Sequence, residues 1–318
     1  MDYINPVYPS YFADPFVLRH EGMYYAYGTA PGSHHGAQFP ILASPDLVNW
    51  TEAGFALPEA PGIEFWAPEV AYDNGQFYLY YSARGVTADR DHQLRVAVSK
   101  SPTGAFRDAG RVLVAEQPFS IDPHPYRHSD GQWYLYYSRD FLTHDEPYRV
   151  GTGIVVDRFK DMLTLEGTPR LVVRPFADWH LFKEQRTMYG GIYDWHTVEG
   201  ASVLLHNEKV YCFYSGGAWE KENYGISYVV ADDPLGKYRP PENMSAPLMK
   251  TAPNQVIGPG HNSFVIAPDN KSIMCVYHGW NPERIARLMR IDPLTWQGDT
   301  PVLTGPTWTE QELNVGTP

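Results

Sequence analysis

Three acids and one imidazole recur at matching places in this chain: Asp14, Asp122, Glu199 and His261. Each lies a similar distance ahead of the end of an aromatic-rich run: 14, 16, 16 and 17 residues. Ala67, 15 residues ahead of its own run and beside Trp66, fills the fifth such place. Carboxylates held close in a partly desolvated site repel, so one of them must keep its proton to a higher pH than usual. A pair split in this way supplies one acid and one base at the same pH. Two carboxyls in an aromatic-lined pocket are the equipment of glycoside hydrolysis. Taken singly, each acid is equally well a turn or cap residue, since Asp-Pro is a common turn dipeptide. Taken together in one repeated place, the acids point to a site. His261 reads either as a buried core group or as a water or metal contact. No second His or Cys occupies a matching place, which argues against a transition metal. That leaves a hard cation such as Ca²⁺, held by one imidazole and waters.

The elements that must position these residues are repeats. One signature occurs five times: GMYYAYG (22–28), QFYLYYS (76–82), QWYLYYS (132–138), KVYCFYS (209–215) and SIMCVYH (272–278). Each follows a turn signal such as Asp73-Asn74-Gly75, so each reads as the second arm of a hairpin. A segment containing the acid or its counterpart precedes each run, and a strand ending in a polar turn follows it. Five units of this kind are expected to be the blades of an all-β, five-bladed β-propeller, a single domain over residues 1–318. The innermost strand of every blade lines the central channel, so equivalent places face one another across the axis. The unit between Ser138 and Ser215 is the longest. Its surplus includes FADWHLFKEQRTMYGGIYDWH (176–196). That segment reads either as a loop shaping the binding site, with Trp195 and His196 as substrate contacts, or as a loop packed on a neighbouring blade.

Composition narrows the function classes. The 318 residues carry 25 Lys+Arg against 37 Asp+Glu, a formal net charge of −12, which disfavours nucleic acid and anionic membrane surfaces. The expected partner is a small oligosaccharide. The 23 Tyr and 9 Trp suit the apolar faces of sugars. Cys212 and Cys275 are too few for a disulfide framework. The opening MDYINPVYPS has no export character, so a cytoplasmic location is expected.

The motifs NPVYPSYFADPFVLR, FWAPEVAYDNGQFYLYYS, SIDPHPYRHSDGQWYLYYS, HTVEGASVLL and GPGHNSFVIAPD with YHGW resemble glycoside hydrolase family 43, in family order and over nearly the whole chain. The resemblance implies an inverting enzyme that removes terminal pentosyl residues. An exo-acting α-L-arabinofuranosidase is the first expectation, with a β-xylosidase or another furanosidase next. A non-catalytic carbohydrate-binding propeller is the remote alternative. The resemblance also implies that Asp14 is the general base and Glu199 the general acid, with Asp122 raising the acid's pKa and orienting it. Trp66 is expected to line the sugar pocket, Arg287 to contact the glycone, and His261 to sit in the channel where some members bind Ca²⁺ through water. No cofactor is expected for the chemistry.

Overall fold

The computed structural model describes residues 1–31, 36–59, 62–85, 91–241 and 246–316. The described residues form strands and one short 3₁₀ turn, Asp178–His180. The first sheet is an antiparallel meander of Ala13–His20, Met23–Thr29, Gln38–Ser44 and Thr51–Leu57. The second repeats the pattern with Ile63–Asp73, Gln76–Arg84, His92–Ser99 and Arg107–Val112. The last does so with Ile257–Ile266, Ile273–Trp280, Arg287–Gln297 and Thr300–Leu303. Between them lies a nine-stranded sheet. It contains one meander led by Ser120–Arg127, Trp133–Phe141 and Gly151–Asp161, and another of Gly191–His206, Lys209–Gly216 and Gly225–Ala231. The two are joined by a short parallel contact, Gly151 with His196 and Thr152 with Thr197.

The hairpins form where the turn signals stand. Glu21 and Gly22, Asn74 and Gly75, and Asn207 and Glu208 all take positive φ. Their flanking residues pair directly, His20 with Met23, Asp73 with Gln76 and His206 with Lys209. Two left-handed residues in a two-residue loop match the right-handed twist of the arms. The aromatic runs are buried on both faces, so adjacent residues belong to different cores. Tyr81 packs with Tyr27, Ile41 and Leu79 between the first and second meanders. Tyr80 packs with Leu135, Tyr137 and Val155 between the second and third. Tyr136 and Val156 meet Val203 and Tyr214 between the third and fourth, and Phe213 meets Cys275 and Tyr277 between the fourth and fifth. A further cluster joins the last meander to the first through Val276, Ile291, Val17 and Tyr24. The circuit of cores therefore returns to its start. The chain ends reinforce that closure, since Asp2 and Tyr3 pair with Glu312 and Gln311.

The first strand of each meander carries a bulge at the same step. There one residue takes a left-handed conformation: Asp14, Ala67, Asp122, Gly200 or His261, with φ between 48° and 62°. Four of them donate their backbone N–H to a side chain of the preceding meander. Ala67 bonds Thr29 Oγ1 (2.9 Å), Asp122 bonds Ser82 Oγ (3.0 Å), His261 bonds Ser215 Oγ (2.7 Å) and Asp14 bonds His278 Nδ1 (3.1 Å). These latches tie neighbouring meanders together at the inner end of each. In the fourth meander the latch is not made. Ser138 Oγ, the matching acceptor, has no protein partner, and the Gly200 N–H goes to Asp122 Oδ2 at 3.2 Å instead.

Candidate active site

The latched strands converge on one cavity of about 250 Å³ lined by Asp14, Asp122, Glu199, His261, Arg287 and Trp66, together with Ile121, Trp219 and Tyr224. This is at the small end of ligand pockets, which run from roughly 300 Å³ upward, and suits a single sugar ring.

The expected alignment needs one correction. Glu199 does not share the place of Asp14 and Asp122. It pairs with Ser215 as Trp66 pairs with Ser82 and Ile121 with Ser138, so it stands one residue ahead of the bulge. The left-handed place in that meander belongs to Gly200, where a Cβ would meet the His261 ring at 3.1 Å. Counting back from the aromatic runs cannot see the bulge. The glycine, which tolerates positive φ at no steric cost, was the signal available. Glu199 reaches the cavity all the same, because Trp66, Ile121 and Glu199 in this preceding place all face it.

Asp14 is buried and surrounded by cations and imidazoles. Arg287 Nη1 donates to its Oδ1 at 3.2 Å, and His261 Nδ1 and His278 Nδ1 lie 3.5 and 3.3 Å from the same oxygen. Burial acts to raise its pKa, but Arg287, His261 and His278 outweigh burial and hold the carboxyl well below the usual range. His278 Nδ1 also lies 3.1 Å from the Asp14 backbone nitrogen, and burial lowers the His278 pKa to about 4. Burial likewise lowers His261.

Glu199 has the opposite environment. Burial and the charge of Asp14 lift it to about 7, against the Tyr224 hydroxyl, which donates to its Oε1 at 2.9 Å, and against Arg287. Asp122 is pushed well above the usual range by burial and by the charges of Glu199 and Asp14, with the Gly200 N–H opposing. The expected arrangement, an anionic Asp122 lifting Glu199, is not the one found: the charge of Asp14 lifts Glu199, and the charge of Glu199 lifts Asp122. The two carboxyls titrate as a pair that resists double ionisation, and they leave Asp14 as the settled anion.

Trp66 is about one-third exposed at the rim, with one face stacked on His92 at 3.5 Å. Arg287 is fixed by Asp14, by Tyr11, whose hydroxyl accepts from Nε at 2.8 Å, and by the Trp219 ring 4.5 Å from its Cζ. Trp219 and Tyr224 went unread in the sequence. Both belong to the connection before Gly225–Ala231, outside the repeat signatures. Tyr224 reaches inward because Gly260 has no side chain; a Cβ there would lie 2.2 Å from the Tyr224 ring. Trp195 and His196 are not in the cavity. Trp195 is fully buried, with its Nε1 donating to Thr152 Oγ1 at 3.3 Å. His196 is buried, accepts from Arg149 Nη1 at 3.1 Å and donates from Nδ1 to the Asp194 carbonyl. The aromatic crowding of 176–196 serves packing on neighbouring strands, the second of the two readings: Trp195 reaches Thr152 of the third meander, and Trp179 and His180 lie against Tyr214.

Asp122, Glu199 and His261 each offer one ligand atom within 4.8 Å of the others. Two carboxylates and a nitrogen fall short of the six to eight oxygens Ca²⁺ takes. As direct ligands these three side chains do not complete a Ca²⁺ shell on their own; the expected ion, held by His261 through waters, is a different arrangement.

The family model for glycosyl hydrolases family 43 matches residues 3–301. An extracellular exo-α-(1→5)-L-arabinofuranosidase of Streptomyces avermitilis is 26% identical over 90% of this chain, which spans 60% of that relative's length. A β-D-galactofuranosidase of Aspergillus niger is 28% identical over 86% of this chain and 75% of its own. The crystal structure of a thermostable family-43 glycoside hydrolase superposes with a TM-score of 0.85 at 32% identity, covering 98% of both chains. The expected cytoplasmic location is overturned by these relatives, since the Streptomyces enzyme is named extracellular. The opening segment MDYINPVYPS was no guide to location.

Proposed function

The chain belongs to glycosyl hydrolase family 43, and from that premise we propose that it is an inverting, exo-acting α-L-arabinofuranosidase on arabinose-containing oligosaccharides. In this reading residues 1–318 form one catalytic domain, and the five meanders are the blades of a five-bladed propeller around one axis. The carrying observation is the split in ionisation within one cavity: Asp14 held anionic by Arg287 and two histidines, Glu199 lifted to about 7.

The chemistry follows from that split. The pentosyl ring sits between Trp66 and Arg287, with its anomeric carbon between the two carboxyls. Glu199 passes its proton to the departing oxygen as the C1–O bond breaks. A water oxygen bonds C1 from the opposite face, and Asp14 takes the water's proton. An inverting pair leaves about 6.5–9.5 Å between its carboxyls for that water. Asp122 keeps the pair it makes with Glu199 from ionising fully, so a proton is available near neutral pH. Its orientation is set by the Gly200 N–H.

Two substitutions and a product analysis test this. Glu199→Gln should abolish turnover of poor leaving groups and spare part of the turnover of activated aryl glycosides, whereas Asp14→Asn should abolish both, since the water loses its base. Equal loss on both substrates for Glu199→Gln would contradict the acid role. NMR of the first-formed sugar should show the inverted anomer. The galactofuranosidase relative favours a second reading, another furanosidase. A panel of 4-nitrophenyl furanosides and β-xyloside ranks these sugars.

A further inference from the structure

The inserted segment 176–196 places no side chain in the catalytic cavity. Its backbone nevertheless meets the connection that delivers two of the cavity's residues. That connection, residues 217–224, carries Trp219 and Tyr224. Near its end the half-buried Asn223 donates from Nδ2 to two carbonyls of the insertion, Trp179 O at 3.0 Å and Leu181 O at 2.7 Å. Two acceptors for one NH₂ group fix which way the amide points. The connection can fold back onto the insertion because Gly217 has no side chain. A Cβ there would lie 2.6 Å from the Asn223 carbonyl oxygen and 2.9 Å from that of Trp179. Trp179 is itself seated, its ring parallel to Tyr214 within 7° and close above Gly216, where a Cβ would meet it at 2.6 Å.

Other bonds hold the earlier part of the connection. Trp280 Nε1 donates to Trp219 O at 2.9 Å, Arg284 Nη1 to Glu220 O at 2.8 Å, and Thr251 Oγ1 to Glu222 O at 2.8 Å. Tyr224 lies beyond them. Its ring stacks on His278, which sets the plane of the ring but lets it slide within that plane. How far the hydroxyl reaches then depends on where the backbone at 223 and 224 stands. The bond from Tyr224 to Glu199 Oε1, 2.9 Å long, has little room, since a hydrogen bond is lost by about 3.6 Å.

We propose that Asn223 is a positioning residue for the proton donor: it ties the connection to the inserted segment and so holds the Tyr224 hydroxyl on Glu199. The inference rests on the reading of Glu199 as the acid. It gives the insertion a task in the chemistry, carried out from outside the cavity and through backbone carbonyls.

The test measures kcat/KM against pH on an arabino-oligosaccharide for Asn223→Ala, Tyr224→Phe and the double variant. Asn223→Ala should move the alkaline limb upward by roughly half a unit, because a Glu199 carboxylate that has lost its donor protonates more readily. In Tyr224→Phe the hydroxyl is already gone, so adding Asn223→Ala should move the limb no further. A residue that only stabilised the fold would not produce this dependence. The variants should fold, since Trp280, Arg284 and Thr251 still hold the connection. Asn223→Leu, of the same branched shape but without donors, should repeat the Asn223→Ala result. A limb that moves in Tyr224→Phe but in neither Asn223 variant overturns the inference and leaves the acid standing. A further shift in the double variant also overturns it, because the effect would then not run through Tyr224. A limb unmoved in Tyr224→Phe overturns it as well, and Glu199→Gln on good and poor leaving groups then tells whether the acid reading falls with it.

Discussion

Replacing Tyr224 with Phe should move the alkaline limb of the pH–rate profile upward. The Tyr224 hydroxyl donates to Glu199 Oε1 at 2.9 Å and lowers the acid's pKa. The ring can stay where it is, stacked at 9° on His278 and seated over Gly260. A hydrogen bond to a charged group contributes about 1.5–3 kcal/mol, and one pKa unit corresponds to about 1.4 kcal/mol. Losing the whole bond to the carboxylate would thus raise the pKa by roughly one to two units. The protonated acid also accepts from Tyr224, so only the difference counts, on the order of half to one unit. The sign follows from the role. Glu199 must be protonated to act, so activity falls as pH rises through its pKa, and a carboxylate stripped of its donor protonates more readily. The limb should shift from about 7 toward roughly 7.5–8. The assay is kcat/KM between pH 5 and 9.5 on an arabino-oligosaccharide, whose poor leaving group makes the proton essential. Because Glu199 and Asp122 titrate together, the limb reports the pair, and the direction is the same. A limb that stays in place or moves down would refute the assignment of Glu199 as acid, the role of Tyr224, or both.

The latches predict an asymmetry among three serines in equivalent places of the repeat. Ser82→Ala and Ser215→Ala leave the buried N–H of Asp122 and His261 unpaired, which should cost about 1–3 kcal/mol in chemical denaturation. Ser138→Ala removes a hydroxyl with no protein partner and should stay within about 0.5 kcal/mol of the parent. A chelator should leave the rate on arabino-oligosaccharide unchanged, because the proposed chemistry runs through the Asp14 and Glu199 carboxyls alone. A loss restored by added Ca²⁺ would overturn that.

The parts of the site that were legible in the sequence are those that repeat. Asp14, Asp122 and His261 were legible because equal sequence places of similar meanders converge on one cavity, and the clusters that join each meander to the next fit that convergence. What repetition could not carry was the one-residue offset of Glu199. The bulge itself is common to all five first strands; the fourth carries its acid one residue ahead of the left-handed place, which Gly200 takes. With Gly200 in that place the latch stays open, the N–H turns to Asp122 Oδ2, and the acid is free to project beside Trp219 and Tyr224. Those two aromatics were illegible for the opposite reason. They come from a connection that belongs to no repeat, and nothing local says that Tyr224 enters a gap left by Gly260, thirty-six residues later. Trp195 and His196 misled because aromatic density looks the same whether a hairpin packs on a sugar or on the next meander; only the hydrogen bonds to Thr152 and Arg149 decide between them. The fourth meander is thus where the repeat breaks, in its latch, the place of its acid and its inserted hairpin. It is also where the proposed proton donor sits, because a site that must treat two carboxyls differently cannot be built from identical units.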